Sequence, residues 1–148
     1  MAQRKPQALV DANVLYSALY KPEGVCGQIV TLALEGRCRL LSTESVREEV
    51  ERNLVENLSM NREETSRLVS ALPVDWISRD VYAEHMELAL SLLPHQEDAP
   101  ILAASLVTGA RIVSGDKHFH SERVERKTRV LTPRKFLDLV SVERENSR

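Results

Sequence analysis

Aromatic residues are scarce in this chain: two Phe, three Tyr and one Trp among 148 positions. A core of useful size must therefore come from Leu, Val, Ile and Ala, which an apolar share of 43% allows. There are two cysteines, Cys26 and Cys38. They lack a C-x-x-C spacing and are poor evidence for a disulfide framework or a thiolate zinc site, so both read as plain buried thiols. Charge of one sign is also missing. A formal net charge of −2 argues against a general, high-affinity DNA-coating protein, although a basic rim can coexist with an acidic centre. Long apolar runs are absent. The opening MAQRKPQ leads only into Ala8-Leu9-Val10, so no signal peptide and no membrane span is expected, and the protein is expected to be cytoplasmic. No repeat, linker or low-complexity tract divides the chain, which reads as one domain over 1–148 with a core of about 8–141. The ends, Met1–Lys5 and Glu143–Arg148, are expected to fray.

Short apolar runs predict five strands: Ala8–Val10, Arg39–Leu41, Val74–Ile77, Arg111–Val113 and Val130–Leu131. Helical spacing lies between them. Helices are predicted over Asn13–Leu19 and Val25–Leu34. Another is capped by Ser42 or Thr43 and carries Val46, Val50 and Leu54. Asn61 with Glu64 opens a helix to Leu72, and Ser78 or Asp80 opens one running to Leu93. Asp98 starts a small apolar helix with Pro100 in its first turn, ended by Gly109. Thr132 caps a last helix with Pro133 at its first position. Strands that are apolar throughout, alternating with helices, predict an α/β sandwich: a central parallel sheet with helices on both faces.

In such sheets ligands bind beyond the carboxyl ends of the strands. The chain has six aspartates, and three fall at those ends: Asp11 after the first strand, Asp116 after the fourth, and Asp98 at the helix leading into the fourth. Converging carboxylates repel one another unless a cation lies between them, and oxygen donors select a hard ion such as Mg²⁺ or Mn²⁺. An ion held in this way can activate water and stabilise charge on a phosphoryl group. No His or Cys cluster offers a softer site. Each aspartate also has a purely local reading: Asp11 and Asp98 as helix caps, Asp116 as a turn former after Gly115. Among the acidic residues of the third helix, a wheel points Glu48 outward and leaves Glu49 and Glu51 on opposite flanks of the buried stripe, without choosing between them. Asn13 and Ser114 are candidates to support Asp11 or another carboxylate. Lys117 and His118 are candidates for phosphate contacts, or else plain surface residues. His85, His95 and His120 show no ligand spacing, and Trp76 reads as core.

Taken together these segments resemble the PIN-domain family, in particular its stand-alone prokaryotic branch of toxin–antitoxin toxins. LVDANVLYSAL is similar to the first motif of the family. STESVREEVERNL is similar to the second, a Ser/Thr-started helix with Glu before an apolar residue and Leu four positions on. EDAPILAASLVTGARIVSGDKHF is similar to the third and fourth, and VLTPRKFLDLV to the closing strand and helix. The likeness runs from Leu9 to about Val140. It selects Glu49 over Glu51 and implies a metal centre of Asp11, Glu49, Asp98 and Asp116. Position 118, often acidic in relatives, is His here. The resemblance further implies a three-layer sandwich, Mg²⁺- or Mn²⁺-dependent hydrolysis of phosphodiester bonds in RNA, homodimers, and an antitoxin protein that occludes the site. A competing reading keeps the fold but makes it a non-catalytic RNA-binding or scaffold protein. An intact acidic set argues against that, since clustered negative charge gains nothing for a binder of phosphates. A receiver-type or acid-phosphatase-like domain is a third reading, and it would want a second Asp close after Asp11, where Ala12-Asn13 stand.

Overall fold

The computed structural model describes residues 5–93 and 95–146, with side chains as far as Val142. Five parallel strands form one sheet: β1 (Gln7–Val10), β2 (Arg39–Thr43), β3 (Val74–Ile77), β4 (Arg111–Val113) and β5 (Val130–Leu131). Their order across the sheet is β3-β2-β1-β4-β5. The helices are α1 (Ala12–Tyr20), α2 (Val25–Leu34), α3 (Glu44–Leu58), α4 (Arg62–Ala71), α5 (Arg79–Tyr82), α6 (Met86–Leu92), α7 (Ala99–Thr108), α8 (Glu122–Glu125) and α9 (Pro133–Asn146). The expected α/β sandwich is the observed architecture. Among the described residues, no helix is long and apolar enough to cross a membrane.

The strands explain the core. Ala8, Leu9, Val10, Ile112 and Val113 are fully buried, as expected of strands covered on both faces. β1 is the central strand: Leu9 lies opposite Leu41 of β2 on one side, and Leu9 and Val10 lie opposite Ile112 and Val113 of β4 on the other. From Ala99 to Ser105 every residue of α7 is buried, which is why this helix carries small and aliphatic residues almost all round. It packs across β1, β2 and β4, with α5 and α6 against it, while α2 packs on α1 and α9. The turn from α1 into α2 depends on Gly27: a Cβ there would sit 1.9 Å from the Pro22 carbonyl oxygen, so only glycine lets the two segments meet.

Local signals set most boundaries. Thr43, not Ser42, caps α3: its Oγ1 accepts from the Val46 N–H at 3.2 Å. Ser42 stays in β2, where its Oγ donates to the Val10 carbonyl at 2.7 Å. Asn61 caps α4, accepting from the Glu64 N–H at 2.8 Å. Gly109 ends α7 with φ of 75°, a left-handed conformation open to glycine at no steric cost.

Two expectations are corrected. The segment from Ser78 to Leu93 is not one helix but α5, a 3₁₀ turn over Ala83–His85, and α6. Upstream of Met86 its apolar residues are contiguous rather than helically spaced, so Tyr82 alone anchors a short turn while Val81 remains exposed. At the far end α9 continues through Glu143 to Asn146, where fraying was expected. The expectation for Met1–Arg4, Ser147 and Arg148 lies outside the described residues, as does Pro94. The cysteines are free thiols, and burial pushes Cys38 up to about 11.

Candidate metal centre

The strand order places one crossing point in the sheet. From β1 the chain moves outward through β2 and β3, then returns past β1 to β4. The carboxyl ends of β1 and β4 are therefore neighbours at the place where open parallel sheets leave a crevice. Asp11 follows β1 directly and is 8% exposed. One carboxylate oxygen accepts from the Val14 N–H at 3.0 Å, capping α1. The other accepts a short hydrogen bond from Ser114 Oγ, at the end of β4. The same Ser114 hydroxyl accepts from the Asp116 N–H at 3.0 Å. One buried hydroxyl thus joins the two aspartates. Asp116 Oδ1 in turn accepts from the His118 N–H at 2.9 Å. The local readings of Asp11 as a cap and Asp116 as a turn former are both met, and neither removes the residue from the crevice.

Asp98 precedes α7 as expected, but its side chain forms no cap hydrogen bond. Its backbone is helical (φ −91°, ψ −20°) rather than extended, because the turn beginning at His95 already feeds into α7. The carboxylate is left to face Asp116 and His118. Glu49 projects from α3 into the same crevice, an open pocket of ≈ 430 Å³ lined by Asp11, Asn13, Glu49, Asp98, Asp116 and His118 among others. Glu51 does not reach it: it pairs with Arg47 at 3.0 Å on the other flank of α3. Glu48 points outward to Arg79.

Burial and mutual repulsion make the crevice a poor place for bare negative charge. Desolvation pushes the Asp11 carboxyl up, opposed by the Ser114 and Val14 hydrogen bonds and assisted by the charge of Asp116. Asp98 is raised by burial and then by Asp116, with His118 acting in the opposite sense. Glu49 is raised by burial and by Glu97, less the effect of Arg52. Three carboxyls raised by burial and by neighbouring negative charge make this cleft a candidate functional site.

The PIN-domain sequence profile matches residues 9–141. The chain belongs to the PIN-domain family. No curated protein matches it. Solved structures show the same fold at low identity. A toxin–antitoxin complex from Klebsiella pneumoniae is 21% identical, with a TM-score of 0.63 over 85% of this chain and 97% of that one. VapBC-1 from nontypeable Haemophilus influenzae is 16% identical, with a TM-score of 0.65 over 86% and 98%. VapBC2 from Rickettsia felis, bound to a promoter DNA fragment, is 12% identical, with a TM-score of 0.62 over 85% and 98%.

Within this PIN domain the remaining candidates separate. Ser114 hydrogen-bonds a carboxylate. Asn13 is exposed at the pocket wall and meets Asp11 through its backbone N–H. Lys117 is exposed and outside the pocket wall. His118 turns inward: its Nδ1 lies 3.0 Å from Asp116 Oδ1 and 3.6 Å from Asp98 Oδ2. His118, expected as a phosphate contact or a surface residue, thus stands beside two of the carboxylates. His95 stacks on the His118 ring, centroids 3.8 Å apart, although the two stand 23 positions apart in the chain. Glu97 lines the same wall. Their signal in the sequence was only adjacency to Asp98 and Asp116, with no spacing rule to promote it. Trp76 is half-buried on β3, with the Arg47 guanidinium 5.5 Å from its ring centroid.

Proposed function

We propose that this PIN domain is a metal-dependent endoribonuclease, hydrolysing RNA phosphodiester bonds at a centre formed by Asp11, Glu49, Asp98 and Asp116. The convergence of four carboxyls on one crevice, three of them held up by burial and repulsion, carries the reading. The donor set fits a divalent cation, Mg²⁺ or Mn²⁺: carboxylate oxygens with one imidazole beside them. Such an ion supplies neutralisation of phosphoryl charge and a lowered pKa for water. The residues supply placement. Asp11 is oriented by two hydrogen bonds and Asp116 by its own turn, while Asp98 and Glu49 close the crevice from α7 and α3. Because these carboxyls must ionise to bind a cation, affinity for it rises with pH.

The test is cleavage of an end-labelled structured RNA with Mg²⁺ or Mn²⁺, ended by EDTA. Cleavage that persists in EDTA, or none with either ion, overturns the proposal. The likeness to a toxin–antitoxin complex supports a further part of the reading: a cytoplasmic toxin, dimeric with itself and occluded by an antitoxin protein. Co-purification with the product of a short adjoining reading frame checks it.

Glu49 and Glu51 give a paired test within α3. Glu49→Gln is expected to lower the cleavage rate by at least about 10-fold, the lower bound for loss of a group supporting a metal centre. Glu51→Gln, which breaks only a half-exposed ion pair, is expected to change it less than about two-fold. Initial rates at saturating Mn²⁺ decide. Equal losses, or the reverse order, remove Glu49 from the centre.

A further inference from the structure

The geometry points to His118 as a direct ligand of the divalent cation, through Nδ1, and to a centre that its imidazole biases towards Mn²⁺ over Mg²⁺. This inference rests on the metal-dependent reading above and narrows it.

Three observations carry it. The first is distance. Adjacent donors around a six-coordinate ion with bonds of about 2.1 Å lie about 3.0 Å apart. His118 Nδ1 is 3.0 Å from Asp116 Oδ1 and 3.6 Å from Asp98 Oδ2. One donor atom from each of these residues falls within 4.8 Å of the other two. The three could close on a single ion with movements of well under about one bond length.

The second is orientation. The His118 ring does not swing freely. Its backbone N–H is fixed to Asp116, and its face is covered by the His95 ring at an interplanar angle of 24°. The His95 carbonyl accepts from the N–H groups of Asp98 and Ala99 at 3.0 and 3.2 Å. The turn that aims Asp98 therefore also seats the ring that backs His118. Phe119, fully buried next door, anchors the 3₁₀ turn over Lys117–His120. An imidazole serving only as a phosphate contact would have no need to turn Nδ1 into two carboxylates.

The third is donor chemistry. Mg²⁺ takes oxygen ligands and keeps its waters reluctantly exchanged. Imidazole suits transition-metal dications, so replacing an oxygen donor by nitrogen raises the affinity for Mn²⁺ relative to Mg²⁺.

The experiment is pulsed electron paramagnetic resonance on the whole protein loaded with Mn²⁺, with Mn²⁺ and Mg²⁺ affinities measured by competition. Expected are ¹⁴N modulations from a directly bound imidazole, lost in His118→Ala and kept in His95→Ala. His118→Ala is expected to weaken Mn²⁺ by about 10-fold or more while Mg²⁺ changes by less than about 3-fold. His118→Asp, with an oxygen donor in place of the nitrogen, should shift the preference from Mn²⁺ towards Mg²⁺ relative to the wild type. Mn²⁺ bound to the wild type without ¹⁴N modulation overturns the inference and leaves the metal-dependent reading standing. Binding of neither ion overturns both. Because the spectroscopic result is read on the unaltered protein, a variant that fails to fold does not blunt the test.

Discussion

Asp11→Asn is expected to lower RNA cleavage by more than about 100-fold, the upper end of what loss of a merely supporting group costs a metal site, while the circular dichroism spectrum stays unchanged. The structural side of this expectation follows from two hydrogen bonds. Asn caps a helix about as well as Asp, so acceptance from the Val14 N–H survives. The Ser114 hydroxyl can rotate to accept from the new amide instead of donating to a carboxylate. Charge is thus removed with little loss of packing, and burial of a neutral group in this place relieves the desolvation that holds the Asp11 carboxyl up. Asp116→Asn should behave alike, since its acceptance from the His118 N–H is also kept. Rates with Mn²⁺ in excess, paired with spectra of each variant, are the measurement. Cleavage within about 10-fold of the wild type in both would remove the proposed centre.

The second large effect is on stability, and its sign depends on the ion. The folded protein raises the Asp98 carboxyl above its ordinary value of 3.8, by burial and by Asp116. A group raised on folding favours the folded state below its unfolded value, and that advantage is lost as pH rises through the folded value. In EDTA, Asp98→Asn should therefore melt with the wild type near pH 4 and above it at neutral pH. The expected gap is about 0.5–2 kcal/mol, or a few degrees for a chain of this size. With metal at about 100 times its dissociation constant the wild type should gain about 2.7 kcal/mol, and the variant less. Asp98 lacks a cap hydrogen bond, so helix capping does not cloud the comparison. Thermal melts across pH, with EDTA and with millimolar Mn²⁺, provide the reading. A variant that melts lower in EDTA and gains as much from metal would make Asp98 structural, and the centre would contract to Asp11 and Asp116.

The fold was legible to the extent that single residues dictate local geometry. All five strands stand where short apolar runs put them; in β1 and β4, burial of Ala8–Val10 and Ile112–Val113 on both faces leaves little polar sequence to confuse the reading. Thr43, Asn61 and Gly109 mark ends because a side-chain oxygen or a missing Cβ acts within its own turn. The long helix expected before Leu93 failed for want of a stripe upstream of Met86. Asp98 shows the limit of capping rules: its backbone was already helical, so its side chain had nothing to cap. Glu49 could not be separated from Glu51 by periodicity, since both flank Val50. The partner of Glu51 is Arg47, whereas the environment of Glu49 is assembled from α7 and the loops beyond β1 and β4. The pairing of His95 with His118 is a contact between distant turns, and no local rule contains it.

Ser114 has a consequence for motion. Its buried hydroxyl bonds the ends of the central strand β1 and its neighbour β4 to each other, so Asp11 and Asp116 share whatever rigidity β1 and β4 possess. Asp98 and Glu97 instead leave from a turn whose residues 95–97 are exposed and which meets the β4 side of the crevice through the His95–His118 stack rather than through the sheet. The crevice therefore has a fixed jaw and a compliant one. When an ion or a phosphodiester enters, the sheet side should keep its coordinates, and the fluctuations that settle should be those of residues 95–98.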